Sequence, residues 1–254
     1  MAANSAHRCA EDELQLERLG PWQEPMVSLD AVSSASRVSR AGALAEILAM
    51  LALVLSYIWI WQGLFPGGHL VVVLLFLALC YISHVRHHES AREVGLRLDN
   101  WRSAARQACL PLAIAMGLPL AAGAALGAWH FEPASLPLDV PWHVVWGTAQ
   151  QYGLLCFFYR RSLDVLASWR GAALAAACVF ALFHVPNPLL IGVTFILGLV
   201  SCTLYRRVPN VFVLGVAHAA ISLTLFYALP LWMTHELLVG PGYFATPMET
   251  LHAR

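Results

Sequence analysis

The chain has 254 residues, of which 59% are hydrophobic and 12% charged, and its mean hydropathy is +0.65. Soluble domains carry roughly 45–50% apolar and about 25% charged residues, so the composition excludes an ordinary water-soluble globule and points to a polytopic membrane protein. The 15 basic and 15 acidic residues cancel, which leaves no electrostatic basis for a nucleic-acid partner.

Residues 1–40 are polar, with Ser and Ala clusters near Ser33 to Ser39, and read as a flexible cytosolic tail. They contain no early apolar core, so no cleavable signal peptide is expected. Residues 41–64 form the first expected span, with Tyr57, Trp59 and Trp61 as an aromatic anchor at its far end. Phe65-Pro66-Gly67-Gly68 turns the chain back into a second span over 70–85. The stretch 93–107 brings Val94, Leu98 and Trp101 near one face, with Arg elsewhere, and predicts an amphipathic helix on the cytoplasmic leaflet or a gate beside an active cavity. The third span covers 111–129, where Gly123-Ala-Ala-Leu-Gly127 permits a close helix contact. The fourth covers 141–159.

The fifth span, 171–185, begins with a run too small-sided to favour lipid, which places it at the bundle centre. Asn187-Pro188 reads as an N-cap followed by a first-turn proline, opening a sixth span to residue 205. Pro209-Asn210 starts the seventh, which ends near 230; residues 231–254 are left as an extracytoplasmic tail, with a short interfacial helix around 232–239. Arg residues before span one and between spans two and three, four and five, and six and seven leave the alternate loops without any. The positive-inside rule then gives seven spans with a cytoplasmic N-terminus. The expected fold is an all-α polytopic membrane bundle of about seven transmembrane helices over 41–230. Every basic residue is Arg rather than Lys, which with the abundant Ala suggests a GC-rich bacterial coding sequence, and for a multi-pass protein of that source the expected location is the inner membrane.

Two adjacent carboxamides, Gln150 and Gln151, interrupt the fourth span, and His184 and His218 interrupt the fifth and seventh. Counting inward from the flanking Arg residues at about 1.5 Å per residue, Gln150 lies roughly 15 Å, His218 roughly 17 Å and His184 roughly 20 Å deep. Lipid offers no hydrogen-bond partner, so these groups must meet each other, a ligand or trapped water. Phe180 precedes His184 by one turn, and Ser222 follows His218 by one turn. His143 lies two turns before Gln150 and reads as an interfacial residue or part of the mouth of the same cavity. A metal held by His143, His184 and His218 has suitable ligand types but no ligand spacing, so no cofactor is expected. His84, His87 and His88 with Arg86 read as a wet basic collar at the headgroups, and Glu46 as a residue reaching the interface. The six cysteines show no C-x-x-C spacing and read as small buried hydrophobes.

Gln150-Gln151 with Phe157-Phe158-Tyr159-Arg160-Arg161, then Phe180-x-x-x-His184-x-Pro186-Asn187-Pro188, then His218-x-x-x-Ser222, resembles the three-motif core of the CPBP intramembrane proteases. That family includes the type II CAAX prenyl endopeptidases and bacteriocin-processing relatives. Val94-Gly95-Leu96-Arg97-Leu98-Asp99-Asn100 is similar to the segment that often precedes that core, and the resemblance covers about 94–229. It implies a protease-like core over 141–229, with Gln150, Gln151, His184, His218 and Ser222 as site residues. The first motif departs from the family's Glu-Glu-x-x-x-Arg, because both acids are Gln and Leu155 stands in place of the Arg. Ser222 stands where the family usually has Asn or Asp. A carboxamide has no useful basicity, so in a peptidase an imidazole would take the water proton while the amides orient water or hold an oxyanion. The expectation is a divergent endopeptidase acting on a membrane-associated polypeptide; the alternative is a pseudoprotease that keeps the cavity as a binding or scaffold surface.

Overall fold

The computed structural model describes residues 38–65 and 69–245. The expected tail over 1–37 and the last residues, 246–254, lie outside the described residues. Ten α-helices, with wider and tighter turns continuing some of them, account for the regular structure, and no strand occurs among the described residues. They are α1 (Arg40–Ser56), α2 (His69–Arg86), α3 (Trp101–Leu126), α4 (Leu136–Gln151), α5 (Arg160–Leu166), α6 (Trp169–Leu182), α7 (Pro188–Arg207), α8 (Val211–Ala228), α9 (Leu231–Thr234) and α10 (Pro241–Ala245). Helix α1 continues through a wide i→i+5 turn at Tyr57–Trp61 and a last turn at Gln62–Leu64. Arg40–Leu64, α3, α7 and α8 are long and apolar enough to cross a membrane; α2 and α6 are apolar but shorter in that measure. Large apolar side chains such as Leu74, Leu110, Leu118 and Ile196 point outward, as they do when the surrounding medium is lipid.

Helix α8 is the axis of one half of the fold, packing on α4 and on α3, while α6 pairs with α7 and α1 lies against α5 and α2. Close approach is made possible by small residues, since lipid tails are as apolar as Leu and give helices no hydrophobic reason to associate. A Cβ on Gly123 would collide with the Ala228 carbonyl, so the predicted close contact of that segment is made with α8. The small-sided start of α6 is buried as expected, with Ala172, Ala176 and Ala177 fully covered. The N-cap read from Asn187-Pro188 is present, with Asn187 accepting from the Leu190 N–H at 3.1 Å, and the start at Pro209-Asn210 is capped in the same way, Asn210 accepting from the Val213 N–H at 2.9 Å.

Three local expectations need correction. The stretch 93–107 is not one amphipathic helix. Residues 91–100 form turns, and α3 starts at Trp101, ten residues before the expected third span, with Pro111 and Pro119 carried inside it. The reason is tertiary. Gly95 takes a left-handed φ of +75° under the Tyr205 ring and accepts from the Val211 N–H, while the Asn100 amide donates to the Pro209 carbonyl and accepts from Asn210. These bonds dock the segment on the α7–α8 turn and leave the Asn100 side chain free of the helix-capping role. His184 is also not mid-helix, because α6 ends at Leu182 and the chain turns through Phe183 to Pro186. Finally, Cys109 and Cys178 are exposed on the outer surface, whereas Cys80, Cys156 and Cys202 are buried.

Candidate functional site

Helices α4 and α8 cross where neither has a side chain to hold them apart. A Cβ on Gly147 would sit 2.9 Å from the Gly215 carbonyl, and one on Gly215 would sit 2.6 Å from the Thr148 Cα. One turn beyond this crossing on α4 comes Gln151, and nearly one turn beyond it on α8 comes His218, so the glycines bring amide and imidazole into reach. The Gln151 Nε2 donates to His218 Nδ1 at 3.1 Å, with Gln151 fully buried and His218 5% exposed. An imidazole that accepts at Nδ1 and is neutral carries its proton on Nε2, so His218 presents an N–H at its far nitrogen.

His184 is held the opposite way. The end of α6 leaves its last carbonyls without intrahelical partners, and the His184 Nδ1–H donates to one of them, Phe180, at 2.7 Å. Its neutral form therefore offers a lone pair at Nε2. Phe180 also meets both rings edge-on, with centroids 5.0 Å from His184 and 5.9 Å from His218. The two imidazoles thus flank one aromatic ring, one prepared to accept a proton and the other to donate a hydrogen bond.

The remaining predicted residues are placed less centrally. Gln150 is half-buried and makes no side-chain hydrogen bond among the described residues. Ser222 is half-buried one turn along α8 and takes no part in the Gln151–His218 bond. His143 is tied to its own helix, its Nδ1–H donating to the Asp139 carbonyl at 2.8 Å. Among the described residues, no group of three or more His, Cys, Asp or Glu side chains is arranged to hold a metal ion.

Immediately after Gln151 the helix widens into an eight-residue i→i+5 stretch, Tyr152–Tyr159, whose residues from Gly153 onward are buried. Such wide turns are rare and recur at functional sites. Here the widened stretch runs from the amide site to a charged cluster that the sequence reading missed. Glu89 accepts from His84 Nδ1–H at 2.6 Å, from Arg160 Nε–H at 2.6 Å and from Arg161 Nη2–H. His84 Nε2 accepts from the Tyr152 hydroxyl at 3.0 Å. His87 lies 3.3 Å from Glu46 and 3.3 Å from Asp164, and the Ser83 hydroxyl donates to Glu46 at 2.6 Å.

The wet collar expected of His84 and His87 is therefore a buried ionic junction joining α1, α2, the following loop and α5; only His88 of the three histidines is exposed. Arg161, which the sequence places in the connection between the fourth and fifth spans, is completely buried. Burial opposes ionisation of Glu89, yet the His84 hydrogen bond and the Arg160 and Arg161 charges bring its carboxyl down to about 2. Burial pushes the Asp164 carboxyl up, against the pull of Arg161. The signal available beforehand was the excess of acids near these arginines: Glu46 inside an apolar run, Glu89 beside the histidines and Asp164 one turn after Arg161.

No protein-family model, curated protein or solved structure matches the chain.

Proposed function

We propose that the chain is a divergent intramembrane endopeptidase, similar to the CPBP proteases, that cleaves a membrane-associated polypeptide. The observation that carries this reading is the opposed hydrogen bonding of the two imidazoles, Phe180 carbonyl to His184 and Gln151 amide to His218. A hydrolytic site needs a base for the water proton and a donor for the developing oxyanion. In the proposed step, His184 Nε2 takes a proton from water as its oxygen attacks the scissile carbonyl carbon, and the carbonyl oxygen becomes an oxyanion facing His218 Nε2–H. The tetrahedral species then collapses, the C–N bond breaks, and His184 returns the proton to the leaving nitrogen. Gln150, with its amide uncommitted, orients the water or the substrate backbone.

In this reading all seven apolar stretches cross the membrane, with the N-terminus and the Arg160–Arg161 end cytoplasmic and the protein in a bacterial inner membrane. The alternation of Arg-rich and Arg-free connections supports the orientation. Helix α6 has 14 residues, about 21 Å at the standard rise, which leaves the His184 turn inside a hydrocarbon layer of about 30 Å.

A second reading is favoured by one observation. Gln151 Oε1 is buried without a hydrogen bond, and Leu155, fully buried, replaces the basic partner of the family's motif. An all-amide motif of this kind fits a pseudoprotease that binds a peptide or partner helix without cleaving it. The two readings part on one experiment, incubation of purified protein with a library of membrane-anchored peptides. The peptidase reading predicts cleavage that falls by about 10²–10⁴-fold in both His184→Ala and His218→Ala. Cleavage indifferent to both substitutions removes the site assignment, and absence of cleavage by the folded wild type supports the pseudoprotease.

A further inference from the structure

Away from the imidazole site, α1 and α2 touch through Glu46, Ser83 and Arg86 but leave a space beside those contacts. Between them runs a groove of about 260 Å³ whose walls include Ala45, Ala49, Leu79 and Ile82, with Phe157 among its lining residues. Ala45 and Ala49, one turn apart on α1, are too short to fill the space to α2. Polarity is graded along the groove. Away from the Arg-rich end, the α2 lining passes from Arg86 and Ser83 to Ile82 and Leu79, and on α1 the apolar Ala49 lies beyond Glu46, with Gly42 and Ala45 on the Arg-rich side of it. A water-soluble ligand has no use for such a gradient, whereas an amphiphile matches it.

The charged end narrows the choice of amphiphile. Arg86 is half exposed and pairs through Nη1 with Glu46 Oε1 at 3.2 Å, while the Glu46 carboxylate is mostly covered and takes the Ser83 hydroxyl at its other oxygen. Anion and cation therefore stand side by side at the mouth, and a headgroup carrying a phosphate and an ammonium can answer both. A lipid bearing only negative charge would meet Glu46 unfavourably. A quaternary amine answers the charge but has no N–H to donate to a carboxylate.

We propose that this groove is a binding site for a membrane phospholipid of the phosphoethanolamine class, with its acyl chain along Ala49, Leu79 and Ile82, its phosphate on Arg86 and its primary ammonium on Glu46. The site stands apart from the peptide-cleavage reading and survives its failure. The test uses the full-length protein in nanodiscs made from equal parts of phosphatidylethanolamine, phosphatidylcholine and phosphatidylglycerol, then extracted into mild detergent, with retained lipid counted by mass spectrometry. The ethanolamine lipid is expected to be retained about fivefold over the choline lipid, the upper range for an interfacial ion pair. Glu46→Gln, which can keep the Ser83 bond, is expected to erase that preference. Ala49→Trp, at an outward-facing position, is expected to lower retention of all three lipids by filling the groove. Equal retention of the three lipids, enrichment of the glycerol lipid, or a preference unchanged in Glu46→Gln would each overturn the proposal. So would undiminished retention in Ala49→Trp, which keeps the test decisive if the Glu46 variant fails to fold.

Discussion

The two buried polar regions meet the same problem with different chemistry. At the Arg-rich end, Glu46, Glu89, Asp164, Arg160 and Arg161 bring formal charges of both signs together out of water, with His84 and His87 lodged among them. Around Gln151, His184, His218 and Phe180, the groups are all neutral and are held by two hydrogen bonds and two ring contacts. An ionised group in a low-dielectric medium is tolerated only with its partner present, so the first region is stiff and intolerant of single losses. A neutral pair costs far less to separate, which leaves the second region free to exchange its bonds with a ligand.

The sharpest break in that comparison comes from the ionic end. Arg161→Met removes one buried charge and leaves Glu89 and Asp164 short of a partner, so unfolding in detergent micelles should be easier by about 3–5 kcal/mol. The exposed Arg92–Asp99 pair serves as the internal control. Arg92→Met should change stability by less than about 1 kcal/mol, and similar losses in the two variants would remove the distinction between buried and surface charge.

Acid separates the regions next. The Glu89 carboxyl titrates at about 2 in the folded protein against a reference of 4.5. Because the folded value is depressed, its stabilisation is complete above about pH 4.5 and is lost as pH falls towards about 2, a loss of about 3 kcal/mol. Glu89→Gln should flatten that part of a stability profile. An unaltered acid limb in this variant would show that Glu89 does not anchor the junction.

Much of this organisation can be read from residues alone, and the parts that cannot share a cause. The cap at Asn187, the small face of α6 and the Gly123 contact are local: each depends on residue types at fixed spacing. The Gln151–His218 pair joins residues 67 apart, and residue type alone points to it, since an amide within an apolar run must find a polar partner. The ionic junction depends on which acids face which arginines across four elements, and sequence distance does not encode that. Glu89 and Arg161 are 72 residues apart. The early start of α3 is hidden for the same reason, because Gly95 and Asn100 take their partners from Pro209 to Val211 on the far side of the chain.

The smallest expected effect lies at the neutral site. Gly215→Leu would drive a side chain into the Thr148 backbone and force α4 from α8, at a cost of about 1–3 kcal/mol. The Gln151–His218 bond should be lost with it, visible as a changed His218 ring signal while the signals of His84 and His87 stay in place. Movement of the junction histidines as well would mean that the two regions are not separable.

The neutral site's character rests on where two protons sit. Protein labelled with ¹⁵N at the histidine rings, studied by NMR in micelles near neutral pH, reports this at each nitrogen. The account predicts His184 protonated at Nδ1 and His218 protonated at Nε2. The same tautomer on both rings, or an imidazolium at either, would contradict it.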